Sequence, residues 1–138
     1  MPNLFVELVS PHGKVFQGEA QGVRAPGVEG SFSVLYNHAP MIAAFEIGPL
    51  YITNAIGERI VYATSGGFLE VVDNKVTILA ETAEPASEID VERAKESEER
   101  ARERLRLAGD SEERALAETA LERARNRLRV TMGQVSGN

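Results

Sequence analysis

The side chains best equipped for chemistry in this sequence are its arginines. Arg100, Arg102, Arg104 and Arg106 occupy every second position, and Arg123, Arg125, Arg127 and Arg129 repeat the spacing. A guanidinium presents a planar fork of donors that suits carboxylates and phosphates. Steps of two around a helix spread side chains over much of its surface, so several of these must face solvent. Those near a helix C-terminus also complement the helix dipole. Inward-leaning members of the two sets need not meet, so each set is free to serve a separate anion. Other reactive groupings are missing. His12 and His38 are the only histidines, and neither has a local metal-ligand spacing such as H-x-x-x-H. His38, ahead of Ala39-Pro40, is expected to shape a turn or an interface. Ser65-Gly66-Gly67 lacks the G-x-S-x-G pattern of a nucleophile elbow and reads as a bulge or turn. There is no G-x-x-x-x-G-K-[ST] phosphate loop. With zero cysteines, disulfides and thiolate chemistry are excluded. No catalytic residue and no metal-ligand set is expected.

The elements that must position the arginines come in two kinds. Residues 1–87 hold 4 Lys/Arg and 9 Asp/Glu, whereas residues 88–138 hold 11 and 12. Every aromatic residue lies at or before Phe68. A large core therefore belongs to the first part, and the second must pack through small side chains. The net charge of −6 argues against nucleic acid as a partner, since phosphate neutralisation needs excess Lys and Arg. No apolar run approaches the ~18 residues of a membrane span, and Met1-Pro2-Asn3 does not open a secretory signal.

The first part reads as strands. Leu4, Val6 and Leu8 alternate with Phe5, Glu7 and Val9, the period of two that a strand needs. Further extended segments are expected at 15–16, 23–25, 32–35, 50–54, 59–64, 68–72 and 76–80. Pro26-Gly27, residues 54–57, Gly66-Gly67 and Asp73-Asn74 supply turn chemistry between them, and Asp73-Asn74 tolerate the positive φ of a tight hairpin. Closely spaced strands without intervening helices imply an antiparallel sandwich or barrel. Val76 to Ala80 is apolar on both faces, which favours two packed sheets.

After Pro85 the pattern becomes helical. Ser87 stands three residues before Asp90 in an acidic variant of the capping box. Ala94, Ala101, Leu105 and Ala108 share one face. Gly109 ends that helix, Asp110 or Ser111 caps the next, and Ala117, Ala120, Leu121, Ala124 and Leu128 form the matching stripe. So short a break implies an antiparallel hairpin. An alanine seam buries little area at ~25 cal/mol per Å², and the pairs Glu96 to Arg100 and Glu98 to Arg102 add only ~0.3–0.5 kcal/mol each. The pairing of the helices is expected to be marginal and rearrangeable, although a static hairpin or a dimerising helix fits the same pattern.

Several ordered stretches together resemble the ε subunit family of F-type ATP synthases. They are Gly30-Ser31-Phe32-Ser33-Val34-Leu35 with Asn37-His38-Ala39-Pro40-Met41, the segment from Gly48 to Ile52, and Ser65-Gly66-Gly67-Phe68-Leu69-Glu70-Val71 followed by Lys75-Val76-Thr77-Ile78-Leu79-Ala80. Ile89-Asp90-Val91-Glu92-Arg93-Ala94 matches the motif I-D-x-x-R-A, and Ala124 with Asn126-Arg127-Leu128 fits the last helix. The resemblance implies a mainly β plus α fold, with a ten-stranded antiparallel β-sandwich over 1–85 that binds the rotor and a regulatory antiparallel two-helix hairpin over 86–138. It implies a non-catalytic central-stalk subunit of a proton-translocating ATP synthase that couples the γ subunit to the c-ring. The helices would extend to the α and β catalytic subunits and inhibit ATP hydrolysis.

By the same resemblance, Glu29, Gly30, Ser31, Phe32 and His38 are rotor contacts. Some relatives carry an acid where this chain has Ser31, and Glu29 stands nearby to substitute. Glu84, Ile89, Asp90, Arg93, Ala94, Arg100 and Arg123 are implied nucleotide contacts. A further basic position of the second helix is Leu116 here, with Arg114 nearby on a different face. No cofactor is required, and ATP is the implied regulatory ligand. Membrane association is expected to be peripheral, through the complex, on the cytoplasmic face of the bacterial inner (plasma) membrane. The alternative is a stand-alone β-sandwich binding module with a helical dimerisation tail.

Overall fold

The computed structural model describes residues 2–133; Met1 and residues 134–138, which the expected segments 1–85 and 86–138 include, lie outside the described residues. The chain divides into two compact units, 1–85 and 86–138.

The first unit holds seven strands: β1 (Leu4–Ser10), β2 (Gly13–Gly27), β3 (Gly30–Leu35), β4 (Met41–Asn54), β5 (Arg59–Val72), β6 (Lys75–Ala80) and β7 (Ala83–Pro85). Three of them are 14 or 15 residues long, well beyond the usual ~5–6. Such strands cannot stay in one twisted sheet, and each turns a corner. In the β4–β5 ladder the pairing passes from Phe45 opposite Gly67 to Ile47 opposite Ser65, skipping Glu46 and Gly66. In the β2–β4 ladder the register shifts between Ala20 and Gly22 and again between Arg24 and Gly27. The register shifts of the β2–β4 ladder bend a strand and increase its twist, whereas the β4–β5 break keeps the same register on both sides. Beyond its corner each long strand serves the opposite sheet. One sheet contains β1, β6, the first half of β2, the first half of β4 and the second half of β5. The other contains β3, β7 and the remaining halves. Ten strand segments are thus made from seven continuous strands, which accounts for the difference from the expected number.

All ladders are antiparallel except β1 with β6, which is parallel. That pairing has a consequence. With β1 also bonded to β2, the path β1-β6-β5-β4-β2 returns to β1, so the sandwich is a flattened closed ring whose main strands have few free edges. The alternation seen in the sequence decides the inside. Leu4, Val6 and Leu8 of β1 and Val76 and Ile78 of β6 are fully buried and meet Val34, Leu50 and Ile52 of the other sheet in one core. Each such side chain contributes ~1.5–3 kcal/mol over its exposed state. Turn chemistry agrees at Asp73-Asn74, where φ is 48 and 63, as a two-residue hairpin requires. Pro26-Gly27, by contrast, are the last residues of β2, and the tight turn is Val28-Glu29.

In the second unit a 3₁₀ turn (Ala86–Glu88) precedes α1 (Val91–Leu107) and α2 (Ser111–Thr131). The helix does not start from a Ser87 cap. Asp90 is the N-cap, and its carboxylate accepts the Arg93 N–H at 3.2 Å. The displacement follows from Ile89, whose side chain is buried and whose N–H closes the 3₁₀ turn on Ala86. Asp110 caps α2 by accepting from Glu113 N–H at 2.8 Å, while Glu113 reaches back to Gly109 N–H at 3.1 Å. Ala94 and Ala101 are buried on α1, and Ala117, Leu121 and Ala124 on α2. Their spacings of three, four and seven give each helix a single narrow stripe.

Candidate functional site

The hairpin sorts its arginines. Arg102 pairs with Glu98 at 3.4 Å and Glu99 at 3.6 Å, Arg106 with Glu103, and Arg125 crosses to Glu98 at 3.5 Å. Contact with Arg106 holds the Glu103 carboxyl below its ordinary range. Arg100, Arg104, Arg123 and Arg127, but not the exposed Arg129, line one shared groove of about 340 Å³, together with Ser97 and Ala101 of α1 and Ala120 of α2. Among the described residues, Arg104 and Arg123 have no carboxylate within ion-pair distance, and Arg100 donates only to Ser97 Oγ at 3.1 Å. The expected Glu96–Arg100 pair gives way to that bond. The two arginine sets therefore share one groove, a point that the spacing of two had left open. Alanines at 101, 117 and 124 let the backbones approach, so long side chains from both helices reach the same space. Like charges so gathered repel one another, and a multiply charged anion is what relieves the repulsion.

Of the implied nucleotide contacts, Arg100 and Arg123 are thus brought together. Arg93 and Ala94 lie in the first turn of α1, about 9–11 Å along the helix from Arg100 at 1.5 Å per residue, Ile89 and Asp90 precede the helix, and none of the four lines the groove. Asp90 is committed to its cap, and Ala94 is 3% exposed in the helix seam. Glu84 belongs to β7 of the sandwich, opposite Ala63. Arg104 and Arg127 stood among the alternating arginines of the sequence but not among the implied nucleotide contacts. Their signal was present in the i,i+4 steps from Arg100 and from Arg123, which put each pair on one helix face.

The implied rotor contacts do not form one cluster. Glu29, Gly30 and Ser31 are exposed at the β2–β3 turn. Phe32 is half-buried against the core and anchors that turn. His38 lies beyond the far end of β3, a strand of six residues and hence about 20 Å long. Its N–H donates to Leu35 O at 3.1 Å, and its Nδ1 lies 2.7 Å from Ala39 O. The loop is tied down next door, where Asn37 N–H donates to Asn74 Oδ1 at 2.6 Å and Asn74 Nδ2 donates to Asn37 Oδ1 at 3.2 Å.

The outer face of the β1–β6 sheet was not foreseen. Val9, Leu79, Phe68 and Ala44 stand opposite one another across four strands. Two residues along lie Glu7, Thr77, Glu70 and Ile42. Phe68, Leu79 and Ile42 are 59%, 55% and 73% exposed. Val76 to Ala80 is therefore apolar on both faces because its outer face carries a surface patch, and not because both faces are enclosed. Glu7, between Lys14 at 3.1 Å and Lys75 at 3.4 Å, anchors a charged corner of this face. Those two ammonium groups hold its carboxyl below the ordinary value, Lys14 more strongly.

Comparison with known proteins agrees with both halves of this geometry. The family description "ATP synthase, Delta/Epsilon chain, beta-sandwich domain" matches residues 3–86, and "ATP synthase, Delta/Epsilon chain, long alpha-helix domain" matches residues 87–132. The chain is 62% identical to the ATP synthase epsilon chain of Salinibacter ruber, over 96% of its own length and 94% of that relative. It is 44% identical to the epsilon chain of Syntrophomonas wolfei, over 91% and 92%. Among solved structures it resembles a chain in the Euglena gracilis mitochondrial ATP synthase (OSCP/F1/c-ring) with a TM-score of 0.81 and 27% identity, covering 91% of this chain and 80% of that one. A chain in the central stalk and c-ring of Tetrahymena thermophila mitochondrial ATP synthase shares the fold, with a TM-score of 0.60 at 15% identity and coverage of 92% and 95%. The chain belongs to the ATP synthase delta/epsilon chain family. Within that family it is of the epsilon type, a non-catalytic subunit of the F-type enzyme.

Proposed function

We propose that the chain works in the central stalk, where its sandwich joins the γ subunit to the c-ring and its hairpin restrains ATP hydrolysis. The observation that carries the first part is the exposed apolar face of Phe68, Leu79 and Ile42, a grouping of large apolar side chains that suits a protein partner. The γ subunit is assigned to that face and to the His38 loop. The loops of the c-ring are assigned to the Glu29-Gly30-Ser31 turn at the other end of β3. Separate ends for separate partners are what a coupling element between two bodies requires. No helix among the described residues is long and apolar enough to cross a membrane, and association with a bacterial inner membrane, on its cytoplasmic face, follows through the complex.

The second part rests on the weak helix seam and the arginine groove. ATP, with Arg100 and Arg123 on its phosphates, would stabilise the closed hairpin by mass action. Without it, the like-charged groove favours separation of the helices, and the freed arginines of α2 are then available to acidic surfaces of the α and β subunits. Family membership over both units sets aside a stand-alone binding module with a dimerisation tail. The test is reconstitution with γ and the catalytic subunits. Phe68→Ser with Leu79→Ser is expected to reduce γ binding strongly, and ending the chain at Glu84 is expected to raise ATPase activity. Unchanged γ binding would reject the assignment of the sheet face, and unchanged ATPase activity would reject inhibition by the hairpin.

A further inference from the structure

We propose that Glu70 receives a basic side chain of the γ subunit when that partner covers the outer face of the β1–β6 sheet, and that this ion pair fixes where the partner sits on an otherwise apolar surface. This reading rests on the assignment of that face to γ above and adds the charge that γ must carry there. Glu70 is exposed on β5. Phe68 and Val72 flank it along the same strand and face, and Thr77 of β6 and Ile42 of β4 stand directly opposite it on either side. Phe68, Val72 and Ile42 are exposed large apolar side chains, so the carboxylate stands in the middle of the patch. Among the described residues, no Lys, Arg or His nitrogen lies within ion-pair distance of it.

A cation of this chain is near enough to compete and is engaged elsewhere. Thr77 separates Glu70 of β5 from Glu7 of β1 in one row across the sheet. Lys75, two residues before Thr77 on β6, is a diagonal neighbour of both acids, at the ~7–8 Å of such pairs. Its ammonium goes to Glu7 at 3.4 Å, which Lys14 joins at 3.1 Å. One acid of the row thus holds two cations, and the other is left to water. In the free chain, hydration satisfies Glu70 without cost. A partner that covers Phe68, Leu79 and Ile42 strips that water, and a carboxylate desolvated without a counter-charge opposes binding. The face therefore rejects a purely apolar partner and accepts one that sets a guanidinium or ammonium among its apolar side chains. Apolar contact has no direction, so the ion pair is what fixes the register of the two surfaces.

The test is binding of the full-length chain to a complex of α, β and γ subunits that lacks it, with association and dissociation rates measured at low and at high salt. Glu70→Gln keeps the size of the side chain and loses its charge. It is expected to weaken binding about thirtyfold or more, chiefly through faster dissociation, the scale of losing one member of a covered charge pair. Glu70→Lys should weaken it further. Glu58→Gln removes the same charge from the turn between β4 and β5 and should change nothing. A loss confined to the association rate and erased by high salt would mean an uncovered charge that only steers, and would overturn the proposal. Equal weakening by Lys75→Met would mean that the cation belongs to this chain, and would overturn it too. If Phe68→Ser with Leu79→Ser abolishes binding and Glu70→Gln leaves it unaltered, the assignment of the face stands and the ion pair falls. If neither variant alters binding, both fall.

Discussion

Gly67 offers the sharpest test of the sandwich, because one methyl group there interrogates the corner of β5. The backbone at Gly67 has φ +155. A Cβ on it would overlap the Leu79 carbonyl oxygen and lie 2.9 Å from Phe45 Cζ and 3.0 Å from Ala80 Cα. Two of these obstacles are backbone of β6, held in register by the pairing of Gly67 with Ala80, so relief requires the ladder to part. Losing one or two backbone hydrogen bonds costs ~1 kcal/mol each, and the overpacking and strain add ~1–3 kcal/mol. Gly67→Ala should therefore cost about 3–5 kcal/mol, much of the ~5–15 kcal/mol that holds a domain folded. Gly30→Ala is the matched control. Its φ is +120, and a Cβ there meets nothing within 4 Å, so only backbone strain of ~1–2 kcal/mol applies. Urea unfolding of the full-length chain, followed by tyrosine fluorescence, reports the sandwich alone, because Tyr36, Tyr51 and Tyr62 are the only tyrosines and tryptophan is absent. With a slope of ~1 kcal/mol per molar, the Gly67 midpoint should fall about 3 M or vanish, and the Gly30 midpoint about 1–2 M. Equal shifts in the two variants would refute the close-approach reasoning.

Three further outcomes are expected. Asp90→Ala and Asp110→Ala each remove a side-chain cap and should cost the hairpin ~1 kcal/mol, with effects that add because the caps lie at opposite ends of α1; thermal loss of ellipticity at the helix band measures this. Ala101→Leu overfills a seam position that is 2% exposed and should weaken the hairpin by ~1–3 kcal/mol, seen as faster amide exchange in α1 and α2 with sandwich amides unchanged. Glu7 has a folded pKa below its ordinary 4.5, chiefly through Lys14 and then Lys75. Its stabilising contribution is then complete above the unfolded value and fades as pH falls through the folded one. An NMR titration should place its carboxyl midpoint below 4.5, and Lys14→Met should move it upward; a midpoint unaffected by that change would contradict the ion pair.

What the sequence determined by itself is the local grammar and where it changes. Alternation at Leu4, Val6 and Leu8 settles which side of β1 faces inward, because the period of a strand is two wherever it lies. Asp73-Asn74 marks its hairpin, and alanines at helical spacing mark the seam, for equally local reasons. The family resemblance carried the sandwich and hairpin as a class. Tertiary structure decided the rest. Only long-range pairing could set β1 parallel to β6, split three strands between two sheets, and line up Val9, Leu79, Phe68 and Ala44 from four strands into one exposed row. Only the packing of α1 on α2 could show that Arg100, Arg104, Arg123 and Arg127 share a groove. A spacing of two says which residues are charged, but the direction of each guanidinium depends on how the facing helix is rotated about its own axis.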